Sequence, residues 1–290
     1  MDIFDVFLLE AVLNGILLGG LLALLSLGLN LIFGVIDVVW ICYAEMIMIG
    51  MYAVYALHVQ QHWPLAAAMA AGIAIVALLG ALMHRFVIRP VLAAEPINQL
   101  LVTGGMLFFL QAAATLAFGI EFKNLGVRMA PLAFGEMSFS APRLIAFAVA
   151  VAGVAGTYVF LTRTYVGTAI RAISQDRQIM PLMGVNPDRI FTITSALGGA
   201  LAGLGGCLLV LQYDIHPAIG LSFGPITFLI CVLGGLGNML GGLIAAFIFA
   251  QFISVGGFFF HIEWGYVIAF VFFIAVMFWR PQGILGGKQR

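Results

Sequence analysis

The chain has 290 residues, of which 63% are hydrophobic and 8% charged, with a formal net charge of zero and a mean hydropathy of +1.16. Soluble domains carry about 25% charged residues, so this composition cannot cover a water-facing surface. The neutral balance also excludes a nucleic-acid binder held by basic charge. Cys42, Cys207 and Cys231 all lie in apolar surroundings with no disulfide or metal-ligand spacing, and are read as small buried hydrophobes. The start, Met1-Asp2-Ile3-Phe4-Asp5, lacks the basic region of a cleavable signal, so the first apolar run is expected to stay in the mature protein.

No Asp, Glu, Lys or Arg occurs from Asn14 to Ile36, between Glu45 and Arg85, or between Asp214 and Glu263. About 20 apolar residues in a helix cross the hydrocarbon core of a bilayer. In chain order the apolar blocks predict spanning helices near 11–33, 42–58, 64–83, 98–119, 143–162, 190–211, 222–236, 239–257 and 263–279. The expectation is an all-α, polytopic transmembrane bundle of eight or nine spans, a single domain over 1–290. Gly19-Gly20 is a candidate break in the first span, and 42–58, which holds Glu45, is a candidate re-entrant segment.

Lys and Arg set the orientation. With nine spans and the C-terminus in the cytoplasm, Arg85, Arg89, Arg163, Arg171, Arg177, Arg189, Arg280, Lys288 and Arg290 are inside. Lys123, Arg128 and Arg143 are then outside with the acidic N-terminus (Asp2, Asp5, Glu10). Eight spans would move only the N-terminus.

Glu45 stands out among the polar residues of the spans. A charge at a helix centre costs about 2.5–3.5 kcal/mol on insertion scales, so it should face a partner or a wet cavity. A pathway role and a structural hydrogen bond near the interface weigh equally here. Asn30, Tyr43 and Gln111 are further pathway candidates. For Asn30, Thr103, Gln111, Asn238 and Gln251 an interhelical hydrogen bond, worth about 0.6 kcal/mol, is the commoner use. His58 and His62 flank Gln60-Gln61 before Trp63-Pro64 and read as a loop pair rather than zinc ligands. The external stretches 120–142 and 212–221 are solvated connectors that face a possible soluble partner. Pairs such as Gly15/Gly19, Gly199/Gly203 and Gly237/Gly241 have the G-x-x-x-G spacing, and the cluster Gly198, Gly199, Gly203, Gly205 and Gly206 predicts a tightly packed central helix.

The segment Thr162–Ile190 differs from the rest. Val166, Ala169, Ile170 and Ile173 recur at helical spacing, with Arg171, Ser174, Gln175 and Gln178 between them. This pattern predicts a short amphipathic helix outside the hydrocarbon core, stopped by Pro181 and Gly184. Asn186-Pro187 reads as an N-cap with proline at the first helical position. Such a helix either lies on the inner membrane surface or inserts into a cleft on a cytoplasmic partner.

Four motifs carry a resemblance. Gly167-Thr-Ala-Ile-Arg-Ala172, then Gln175-Asp176 and Leu182-Met-Gly-Val-Asn186, resembles the coupling loop of branched-chain amino-acid ABC-transporter permeases. Leu13-Asn14-Gly15 with Leu25 to Ile36 is similar to that family's first span. Val232-Leu-Gly-Gly-Leu-Gly-Asn238 with Gly241 resembles its late glycine motif (Gly234, Gly235, Gly237, Gly241), and Arg280-Pro-Gln-Gly-Ile-Leu-Gly286 its closing segment.

The resemblance implies one membrane subunit of an ATP-driven importer in the bacterial inner membrane, working by alternating access. Its implied partners are a second, related permease, two cytoplasmic ATPases that carry ATP and Mg, a periplasmic solute-binding protein, and membrane lipid. This chain itself would hold no cofactor and no metal and would not bind nucleic acid. The coupling loop, about 163–189, would dock an ATPase through Gly167, Arg171, Ala172, Asp176, Leu182 and Gly184. Where the family has Asn-Phe-Ala-His-Gly before an acid, this chain has Trp40-Ile-Cys-Tyr-Ala-Glu45. Only the acid is retained, which widens the expected solute to other amino acids, small amides or organic acids. No G-x-x-x-x-G-K-[ST] and no nucleophile–base pattern occurs, so a transport subunit rather than an enzyme is expected. A stand-alone channel or secondary carrier is the alternative, though no repeat of the kind carriers show is visible.

Overall fold

Inside lipid every backbone polar group must be satisfied within the segment, so apolar blocks fold as helices. The computed structural model describes residues 3–127, 132–134, 137–177 and 179–286. Met1, Asp2, Arg128, Gln178, Lys288 and Arg290, used above, lie outside the described residues. In order, the elements are α1 (Ile3–Ile36), α2 (Tyr43–Tyr55) continued by a π turn Ala56–Gln60, and α3 (Leu65–Met83) continued by a π turn His84–Ile88 into α4 (Arg89–Val91). Then follow α5 (Pro96–Phe118), the antiparallel strands β1 (Leu132–Phe134) and β2 (Met137–Phe139) with Leu132 opposite Phe139, α6 (Ala141–Arg163) and α7 (Tyr165–Gln175). A 3₁₀ turn Met180–Met183 leads to α8 (Pro187–Leu209), α9 (Ile219–Gly234), α10 (Met239–Phe259) and α11 (Ile262–Trp279).

All nine expected blocks are helical, and the all-α polytopic bundle stands, with one short hairpin added. Among the described residues six helices are long and apolar enough to cross a membrane: α1, α3 with its continuation, α5, α6, α8 and α10. Helices α9 and α11 are apolar but shorter. The break expected at Gly19-Gly20 is absent, because α1 runs through it without interruption. Those glycines serve close approach instead: a Cβ on Gly19 would lie 3.2 Å from the Phe247 Cα.

The centre of the bundle is α1 and α8, whose apolar stretches are 83% and 67% buried, against 22% for α5 and 17% for α6. The glycine cluster explains why α8 sits there. A Cβ on Gly199 would be 2.6 Å from the Val76 carbonyl oxygen, one on Gly203 3.1 Å from the Ile73 Cα, and one on Gly206 2.5 Å from the Ile47 carbonyl oxygen. Helix α8 therefore touches α3 and α2 backbone to backbone, as small residues allow where no hydrophobic drive operates between helices.

The late glycine motif and the closing segment meet each other. Gly235 (φ 97°) and Gly237 (φ 79°) take left-handed conformations in the turn between α9 and α10. Gly234 lies against Gly241 with no room for a side chain on either. Asn238 caps α10 by accepting from the Gly241 N–H at 3.0 Å and donates to the Leu285 carbonyl at 2.7 Å. The Ile284 N–H donates to the Leu233 carbonyl at 2.7 Å. At the opposite end, Lys123 and Ile215 exchange backbone hydrogen bonds of 2.9 and 2.7 Å, and Asn124 donates to Asp214 at 2.6 Å. The two stretches read as external connectors are thereby tied together.

Candidate functional site

The amphipathic segment forms as expected, with one correction. Thr164 caps α7, its Oγ1 accepting from the Gly167 N–H at 3.0 Å, and Gly167, Ala169, Ile170 and Ile173 form the buried face. The helix ends at Gln175, not near Met183. Asp176 turns extended (φ −151°), and Pro181 sits in the first turn of the separate 3₁₀ element, where its missing N–H costs nothing. Gly184 (φ 80°) closes that turn in the left-handed region. Asn186 caps α8, accepting from Arg189 N–H at 3.4 Å with Pro187 following.

The apolar face of α7 packs on its own bundle, since Ile170 and Ile173 are fully buried. That face is therefore not free to enter a partner's cleft. What faces outward is Arg171, Asp176 and an apolar tip, Leu182 and Met183, 85% and 73% exposed. Ala172 is half-buried at the edge of this surface, Gly167 lies beneath it, and Gly184 is exposed at the tip.

Two residues tie the segment to the spans. The Arg177 guanidinium donates to the Val35 carbonyl at 2.7 Å, capping the end of α1, and lies 5.4 Å from the Phe191 ring centre in α8. Asp188 accepts from Arg89 at 2.6 Å, joining the start of α8 to α4. The role of Arg177 is invisible to periodicity, which reports the helix it follows and not the helix end it reaches.

The pathway candidates divide. The connection 37–42 enters the bundle, with Val38, Trp40 and Cys42 buried, and α2 starts deep inside. Tyr43 donates to the Leu25 carbonyl at 3.1 Å, about three turns before the end of α1. Glu45, in the first turn of α2, is fully buried, and neither carboxylate oxygen has a hydrogen-bond partner among the described residues. Its Oε1 would lie 2.9 Å from a Cβ on Gly220, at the start of α9. Beside it an apolar cavity of about 360 Å³ is lined by Leu29, Trp40, Tyr43, Ala44, Gly224 and Phe228 among others. Two helix starts, an unpaired acid and an apolar cavity thus share one place.

Asn30 is elsewhere, accepting from the Gly237 N–H at 3.2 Å in the glycine turn. Gln111 sits half-buried on the peripheral α5. Thr103 of α5 donates to the Val39 carbonyl of the 37–42 connection at 3.0 Å, a helix-to-loop bond, and Gln251 of α10 donates to the Val12 carbonyl of α1 at 3.0 Å, an interhelical one. His58 Nδ1 lies 2.8 Å from the Trp63 carbonyl oxygen. Among the described residues no group of three His, Cys, Asp or Glu is placed to hold a metal ion.

Residues 11–277 match the family described as the branched-chain amino acid transport system, permease component. The chain belongs to this family. It is 30% identical to the high-affinity branched-chain amino acid transport system permease protein BraD of Pseudomonas aeruginosa, over 97% of this chain and 96% of BraD. It is 29% identical to the permease protein LivH of Escherichia coli K12, over 98% of this chain and 97% of LivH. Among solved structures it resembles PsaBC from Streptococcus pneumoniae in complex with Fab, with a TM-score of 0.52, 12% identity and coverage of 93% of this chain and 91% of that one. This last likeness concerns the fold alone. Family membership makes the chain a transport subunit rather than an enzyme and sets aside the stand-alone carrier.

Proposed function

We propose that this chain is the membrane-spanning subunit of an ATP-driven importer that carries branched-chain or closely related amino acids inward across the bacterial inner membrane. The observation that carries this is the end-to-end relatedness to BraD and LivH, both named for high-affinity branched-chain amino acid transport. Two cytoplasmic ATPases supply ATP and Mg chemistry, a periplasmic binding protein delivers the solute, and a second, related permease completes the path. The C-terminus lies in the cytoplasm. That orientation is supported by the end of the bundle where Arg89, Arg177 and Arg189 gather with the α7 segment.

Coupling runs through the outward surface of the α7 segment, with Arg171, Asp176 and the Leu182–Met183 tip against an ATPase. Arg177 and the Arg89–Asp188 pair then pass its displacement to α1, α8 and α4. The solute passes the buried start of α2, where Tyr43 and Glu45 meet α9. Half-helix starts inside a bundle are a recurring way to present backbone groups to a solute.

Purification tests the assembly: two ATPase chains and a second permease should co-purify, and uptake of labelled leucine or valine should require ATP. Transport by this chain alone in liposomes would refute it. A cysteine placed at Ser174 should resist a membrane-impermeant thiol reagent applied from the periplasmic side of sealed cells; labelling there would overturn the orientation.

A further inference from the structure

A second cavity lies at the end of the bundle opposite α7, where α1, α6, α10 and α11 converge on the 210–213 turn. Its volume is about 510 Å³. Along α1 it is lined by Glu10, Asn14, Leu17, Leu18 and Leu21, which recur at helical spacing as one stripe. Charge and amide come first, and the deeply buried Leu21 comes last.

Two opposite charges line this cavity without neutralising each other. Arg143, at the start of α6, donates through Nη1 to Asn14 Oδ1 at 3.0 Å. Glu10 stands four residues before Asn14 on the same face of α1, about 6 Å along the axis. It has neither an ion pair nor a hydrogen bond among the described residues, and the one ion pair among them is Arg89–Asp188. An acid and a guanidinium that line one cavity without forming an ion pair suit a ligand that brings both charges itself. Bonds to such charged groups are the strong ones.

We propose that this cavity is a transit site for a zwitterionic amino acid, its carboxylate on Arg143 and its ammonium on Glu10. The aliphatic side chain then points inward along Leu17 and Leu21, against Ile253 of α10. Tyr213 and Gln212 rim the same space. Tyr213 packs edge-on against Phe223 of α9 at 5.2 Å, one turn from Gly220, which lies against Glu45. The cavity is thus the outer station of the path whose inner station is the start of α2. This inference rests on the importer reading above and adds the residues that read the solute's two charges.

The test uses the complete purified transporter in detergent. The three native cysteines are buried, so a Phe7→Cys substitution at the exposed rim of the cavity supplies the reactive thiol. Leucine should slow its labelling. Leucinamide, which lacks the carboxylate, and 4-methylpentanoate, which lacks the ammonium, should protect far less. Adding Glu10→Gln or Arg143→Gln should raise the leucine concentration needed for protection about tenfold or more, as expected for loss of a bond to a charged group. Arg143→Lys should restore most of it. Labelling without leucine reports that each variant keeps the cavity, and the three-ligand comparison in the parent decides the matter if a variant fails to fold.

Absence of leucine protection, or protection that ignores both substitutions, overturns the proposal. So does protection by phosphatidylethanolamine nanodiscs without leucine, since that headgroup also carries both charges. ATP-driven leucine uptake by cells distinguishes the two failures: uptake without protection removes only this site, whereas no uptake of any branched-chain amino acid removes the importer reading.

Discussion

Replacing Gly199 by alanine should destabilise the protein although alanine favours the helix. The new methyl would sit 2.6 Å from the Val76 carbonyl oxygen, 3.1 Å from Met46 Cε and 3.3 Å from the Ala77 Cα. The Met46 terminus can swing aside, but Val76 oxygen is backbone and can retreat only if α3 and α8 separate. Ordinary contact begins near 3.4 Å, so the seam must open by more than half an ångström. Overpacking of this kind costs about 1–3 kcal/mol, and the parted helices also lose dispersion contacts along the seam. Alanine returns about 1 kcal/mol of helix propensity. Gly156, on α6, has nothing within 4 Å of its Cβ position, so Gly156→Ala should keep the gain without the cost. The propensity gain cancels between the two variants, so they should differ by the overpacking cost, about 1–3 kcal/mol in stability, read as the thermal unfolding midpoint of the purified transporter followed by size exclusion. Equal midpoints would refute the backbone-contact account of the α3–α8 seam.

Glu45→Gln should raise the unfolding midpoint while lowering uptake. A buried carboxylate without partners carries a desolvation cost of about 1–3 kcal/mol or more, and a gain in stability at the expense of function marks a working residue; unchanged uptake would place Glu45 outside the path. Arg177→Ala severs the bond to Val35 and the contact with Phe191, so ATP hydrolysis should persist while uptake falls; parallel loss of both activities would contradict a transmitting role. Thr164→Ala removes the cap of α7 and should cost about 1 kcal/mol, visible as faster proteolysis within 164–186. Asp188→Asn breaks an exposed ion pair and should shift stability by no more than about 1 kcal/mol; a larger loss in the unfolding midpoint would mean the pair does more than join two helix ends.

Much of this fold was legible because a bilayer leaves a chain few options. Missing charge marks the helices, and the pattern Val166, Ala169, Ile170, Ile173 marks the buried face of α7 with only Val166 giving way to Gly167. Depth was not legible. Nothing in the local pattern of Tyr43–Tyr55 says that its first turn lies beside Leu25 rather than at a surface, because hydropathy counts residues and not levels. Partners were equally hidden. Asn30 accepts through Oδ1 from the Gly237 N–H of the glycine turn while its Nδ2 is buried without a hydrogen-bond partner among the described residues, and Arg177, one more cation in the sequence, closes the end of α1. The late glycine run and the closing segment were each recognisable, yet their mutual contact through Asn238 and Leu285 spans 47 residues of chain.

The joint between α6 and α7 allows no hinge. Gly167 presses so closely on the backbone of Phe160 and Leu161 that a single added carbon would not fit, and Thr164 binds both helices, donating to the Phe160 carbonyl at 2.7 Å while receiving the Gly167 N–H. On the other side of α7, the described residues hold Arg177, bonded to the Val35 carbonyl, and the 3₁₀ turn Met180–Met183 closed by left-handed Gly184. Under the coupling proposed above, a push on this elbow would reach α6 through a fixed joint and α1 through the single Arg177–Val35 bond. One end of the crank is thus welded side by side along its length, and the other is pinned at one guanidinium.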